Sequence, residues 1–188
     1  SREIIASLAM QHNPNLMKFT VKKMALMPIP FLSQLRIISE VDFMYDFTID
    51  GTLNARLHDV YNAFHDPNVL VRWFAPGNMM VSQFMSNFIE GGNYRLILQS
   101  PDGFQQTIVG CYQTINLDQS LCFTWRWEDT NDTTKVDIEF TCDNDTTTSI
   151  KLTQSGFKRE EDMLHQQYGW IASLEKLSLV TRPQAMVA

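Results

Sequence analysis

No run of apolar residues in this 188-residue chain approaches the roughly 20 that a membrane-spanning helix needs, so no membrane span is expected. Only eight glycines are present, and none is arranged as a phosphate loop, a dinucleotide fingerprint or a GxSxG elbow. The four histidines, His12, His58, His65 and His165, are scattered without HExxH or other paired metal spacing, so neither a metal nor a cofactor is expected. The three cysteines, Cys111, Cys122 and Cys142, form no CxxC pair, and the expectation is buried free thiols in a reducing, cytoplasmic compartment. No basic stripe exists: residues 1–40 carry five basic and two acidic groups, net +3. The rest carries ten basic against nineteen acidic groups, net −9. An acidic body without a basic track argues against a nucleic-acid partner. Together these absences lower the expectation of an enzyme.

What is present is strong alternation. In Leu121–Glu128, LCFTWRWE, the residues Leu121, Phe123, Trp125 and Trp127 fall on one face and Cys122, Thr124, Arg126 and Glu128 on the other. That is the period of a strand with one buried face, here carrying two indoles and a phenyl ring that need a cover or line a cavity. Val41–Ile49 also alternates and reads as a first strand ended by Asp50-Gly51. Asn54 is placed to cap a short helix through Phe64, and Asp66-Pro67 to open a second that runs to about Phe74. Strands follow over Met79–Glu90, Asn93–Gln99, Gln105–Asn116, Ser120–Glu128, Lys135–Cys142 and Thr147–Gln154, with Gly91-Gly92 as a tight turn between the first two. From Lys158 to about Arg182 the period turns helical. Met163, Gln167, Trp170, Leu174, Leu177 and Thr181 make a stripe, widened by Leu164 and Ile171. Glu160, Glu161 and Asp162 favour its N-terminal dipole. Residues 1–40, with Pro28 and Pro30, read as an irregular or partly helical extension. A homodimer joined through this arm is an alternative to its packing on the body.

The order is strand, two short helices, about six strands, long helix. An α+β arrangement follows, in which a curved antiparallel sheet of six to seven strands wraps the long helix. The segments VYNAFHDPNVLVRWFAP (60–76), GGNYRLIL (91–98), DGFQQTIVGCYQTI (102–115), LCFTWRWE (121–128), TSIKLTQSGF (148–157) and HQQYGWIASLEKL (165–177) resemble the activator-of-Hsp90-ATPase-like (AHSA1) branch of the START/Bet v 1-like (SRPBCC) superfamily. The resemblance covers nearly all of a domain over 41–182 and implies the helix-grip fold. It also implies binding of apolar or amphipathic ligands between sheet and last helix. Stimulation of an Hsp90-type chaperone and action on polyketide-like aromatics are alternatives drawn from relatives.

The expected ligand is small and hydrophobic, bound without chemical change in an incompletely filled gap between the aromatic strand face and the helix. The candidate lining residues are Trp73, Phe74, Tyr94, Phe123, Trp125, Trp127, Phe140, Gln154, Trp170 and Leu174. For Trp125, Trp127, Trp170 and Leu174, core filling and cavity lining both remain open. Trp73 and Phe74 are candidate gate residues, with plain packing as the alternative. Gln154 shares parity with Ile150 and Leu152, so its amide points inward and needs a partner. Relatives often carry histidine there, and glutamine cannot act as a base near neutral pH, so no catalytic residue is expected. His165 falls off the buried stripe, and Arg126, on the outer sheet face, is expected in a cross-strand ion pair.

Overall fold

The computed structural model describes residues 20–22 and 44–182. The expected extension over 1–40 otherwise lies outside them, as do Val41 and Phe43 of the expected first strand. The elements are β1 (Thr20–Lys22), β2 (Tyr45–Leu53), α1 (Leu57–Ala63), α2 (Pro67–Leu70), β3 (Met80–Ser86), β4 (Asn93–Gln99), β5 (Gln105–Asn116), β6 (Ser120–Trp127), β7 (Thr134–Asn144), β8 (Thr147–Phe157) and α3 (Glu160–Val180). The strands form one antiparallel sheet in the order β1-β2-β8-β7-β6-β5-β4-β3. Register aligns Phe47, Gln154, Val136, Phe123 and Tyr112 across five strands, and Ile49, Leu152, Ile138 and Leu121 in the next row. These residues are buried and build the inner face.

Local chemistry explains where elements end. β2 does not stop at Asp50-Gly51. Gly51 pairs with Ile150, and the strand continues until Leu53 is buried. Asn54 does not cap α1: Thr148 Oγ1 donates to the Ala55 carbonyl at 2.8 Å, which ties this turn to β8, and the helix starts one residue after Arg56. Asp66 does cap α2, accepting from the Asn68 amide at 2.9 Å with Pro67 in the first turn. α2 ends at Leu70 rather than near Phe74. β3 leaves the sheet after Ser86, so the Gly91-Gly92 pair is no two-residue hairpin. Instead the Gly91 amide donates to the Tyr112 carbonyl (2.8 Å) and the Tyr112 amide to the Gly92 carbonyl (2.9 Å). Gly91 has φ 78°, and a Cβ at Gly92 would lie 2.0 Å from the Asn87 carbonyl oxygen.

α3 packs on β2 and β8, burying Met163, Gln167, Trp170, Leu174 and Leu177. The expected widening toward Leu164 does not occur; Leu164 is exposed, and Gln166, Ser173 and Ser178 are buried instead. α1 covers β7 and β8 next to it.

Candidate functional site

Three aromatic side chains from three separate elements meet between sheet and long helix. Phe74 enters from the segment after α2, Trp125 from β6 and Trp170 from α3. Ring centroids lie 5.6 Å apart for Phe74–Trp125, 5.3 Å for Phe74–Trp170 and 5.5 Å for Trp125–Trp170. These are contact distances, so the expected gap is filled at this point by the rings themselves. Half-buried Trp127 stands edge-on to Trp125 at 6.1 Å, and Leu174 is fully buried in the same core.

Beneath the rings runs a short polar chain. Trp170 Nε1 donates to Gln154 Oε1 (2.8 Å), Gln154 Nε2 donates to Thr134 Oγ1 (2.7 Å), and Thr134 Oγ1 donates to the Trp125 carbonyl (3.2 Å). Gln154 has no exposed surface, and the inward amide has its partners inside the protein. Among the described residues, two buried side-chain polar atoms have none: Trp125 Nε1 and the Tyr61 hydroxyl. An unmet buried donor costs on the order of 1–3 kcal/mol. Burial, and secondarily Asp118, pushes the Tyr61 phenol above its usual range.

Trp73 is fully buried, and its Nε1 donates to the Ala63 carbonyl at 2.9 Å, fixing the segment after α2 to the end of α1. Phe74, the next residue, is the one that reaches the helix–sheet interface. The chain beyond it is held by Lys176 of α3, whose Nζ donates to the carbonyls of Ala75 (2.7 Å) and Met79 (3.4 Å). Partial burial lowers the Lys176 ammonium below its ordinary value.

The remaining candidates belong elsewhere. Tyr94 and Phe123 pack with Tyr112 toward β4 and β5. The Tyr94 hydroxyl donates to the Thr124 carbonyl (2.7 Å), and burial raises its phenol well above the usual range. Phe140 lies under α1, 5.4 Å from both Tyr61 and Phe64. A further stack, His65 on Phe88 at 4.1 Å and 14°, joins this region to Tyr112. The ring contacts run without a break from Tyr94 through Tyr112, Phe88, His65, Tyr61, Phe140, Phe64 and Trp73 to Phe74 and Trp125. Tyr61 in α1 and Phe64 at its C-cap enter this interior together. No periodicity could announce Phe88, because its segment has left the sheet.

Two open clefts, of about 600 and 400 Å³, lie on the outer sheet face. The larger is bordered by Arg95 and Arg126, the smaller by Asp50 and Lys151, and neither reaches Phe74, Trp125 or Trp170. Among the described residues, Arg126 makes no cross-strand ion pair. Its Nη1 donates to the carbonyls of Trp127, Glu128 and Thr130, while Arg95 takes the Glu128 carboxylate through two contacts of 2.9 Å. His165 is exposed, as its position off the stripe implies. Cys122 is buried, with its thiol pushed up to about 11 chiefly by burial, but Cys142 is exposed, contrary to expectation. His58 Nδ1 lies 3.1 Å from Asp118 on the surface, outside the aromatic interior. Among the described residues, no group of three or more His, Cys, Asp or Glu is placed to hold a metal. No helix among them is long and apolar enough to cross a membrane.

A sheet curved about one C-terminal helix, with two short helices after its first long strand, is the helix-grip fold. The profile of the family described as activator of Hsp90 ATPase homolog 1-like protein matches residues 54–181, more than half of the chain, and the protein belongs to that family. Solved structures with the same fold include a Chromobacterium violaceum protein with TM-score 0.68 and 20% identity, covering 74% of this chain and 98% of its own. The AHSA1 protein of Silicibacter pomeroyi has TM-score 0.64 and 21% identity over 71% of this chain and 95% of its own. CalU16 of Micromonospora echinospora has TM-score 0.61 and 19% identity, covering 89% of this chain and 87% of its own. No curated protein sequence matches significantly.

Proposed function

We propose that this protein binds a small hydrophobic molecule between the sheet and α3, in the place that Phe74 occupies in the closed conformation. The observation that carries this reading is the origin of Phe74. Trp125 and Trp170 belong to the sheet and the long helix, the two rigid parts of the grip, but the ring between them comes from an irregular segment. Trp73 anchors one end of that segment, and at the other Lys176 donates to the Ala75 and Met79 carbonyls while Ala75 and Met79 pack on the core. Withdrawing Phe74 would free the space of one phenyl ring and expose two indole faces, a surface suited to a flat apolar guest. A chaperone partner rests on the family description alone.

The test is Phe74→Ala. The variant should bind benzene-sized apolar molecules with saturable quenching of tryptophan emission and a raised melting temperature, and more tightly than the wild type. If neither protein shows saturable quenching or a thermal shift, the proposal is wrong.

A further inference from the structure

Trp125 sets a condition on what can enter. Of the buried indoles, Trp73 donates to the Ala63 carbonyl and Trp170 to Gln154. Trp125, only 6% exposed, has an Nε1–H that meets no acceptor. Gln154 does not serve it, since both ends of that amide are engaged.

Indole nitrogen is a donor only, so the missing group is an acceptor. The surroundings say what kind. Among the described residues, Phe74, Trp127 and Trp170 present rings to Trp125, and the ammonium of Lys176, just beyond Phe74, is committed to the Ala75 and Met79 carbonyls. A carboxylate or phosphate brought there would lose its hydration without gaining a counter-charge. A neutral oxygen satisfies the N–H and leaves no charge buried. We infer that the ligand of this site is an uncharged, flat, apolar molecule bearing a ketone- or ester-type oxygen, which accepts a hydrogen bond from Trp125 Nε1 once Phe74 has moved aside. The inference rests on the reading of this interior as the ligand site.

A matched set of probes tests it: acetophenone, ethylbenzene and benzoate, titrated into the full chain and into Phe74→Ala, each labelled with ¹⁵N at tryptophan. The ketone should bind about tenfold tighter than the hydrocarbon of nearly the same shape, as one recovered hydrogen bond implies. It should also move the Trp125 indole proton downfield. The acid should bind more weakly than the ketone. In Trp125→Phe the ketone and the hydrocarbon should bind equally. Should that variant not fold, the indole shift in the wild type decides. Equal affinities with an unmoved Trp125 signal overturn the inference and leave the site standing. Binding of none of the three, by the wild type or by Phe74→Ala, overturns the site and the inference together.

Discussion

Replacing Gln154 by leucine interrogates the polar chain beneath the aromatic cluster. Leucine is close to glutamine in size and suits an inner sheet position, so packing alone predicts a small effect. The hydrogen bonds predict otherwise. The substitution removes the contacts to Thr134 and Trp170, each worth about 0.5–1.5 kcal/mol net. It also leaves Trp170 Nε1 as a buried donor without partner in a residue only 2% exposed, at a further cost of roughly 1–3 kcal/mol. The apolar gain from leucine offsets part of this, and the expected loss is about 2–4 kcal/mol. Urea denaturation should show a lowered midpoint with unchanged slope. Trp170→Phe alone strands the Gln154 oxygen and should cost about 1–3 kcal/mol. The double variant has neither orphan, so its loss should fall short of the summed single losses by at least about 1 kcal/mol. Additivity within about 0.5 kcal/mol would refute the coupling and, with it, the assignment of the Gln154 partners.

Lys176→Met removes the hydrogen bonds to Ala75 and Met79 and should raise amide exchange across 75–79 by roughly fivefold while global stability changes little; unchanged exchange would mean the lysine restrains nothing. Burial against Phe88 holds the His65 imidazole below its ordinary 6.5. The folded protein therefore resists a proton that the unfolded chain accepts. The stability this contributes is full above pH 6.5 and fades as pH falls below it. His65→Phe should reduce the difference in urea midpoint between pH 7.5 and 5.5, and an undiminished difference would clear His65. Gly110→Ala would set a Cβ 2.0 Å from the Thr124 carbonyl oxygen and 2.5 Å from the Tyr94 ring. A loss of about 3 kcal/mol or more is expected in thermal melts, and a near-native melting temperature would contradict the close approach of β4, β5 and β6.

Alternation and helical period together determined the order of elements, the inward parity of Trp125, Trp127 and Gln154, and the buried stripe of α3. These are local signals, carried by residues two, three or four apart, and the strands Asn93–Gln99 and Gln105–Asn116 could be read to their ends. The family motifs then joined the elements into a helix grip. Tertiary structure alone decided which inward residues meet. Tyr94, Phe123 and Trp125 are all buried on the inner face, yet the first two pack on Tyr112 while Trp125 takes Phe74 and Trp170. That division depends on how far along the curved sheet α1 ends and α3 begins, a long-range quantity no short window contains. The partners of Gln154, the filling of the expected gap by Phe74, and the indole of Trp125 left without an acceptor follow from the same packing, because each joins residues that only the closed sheet and its helices bring within contact distance.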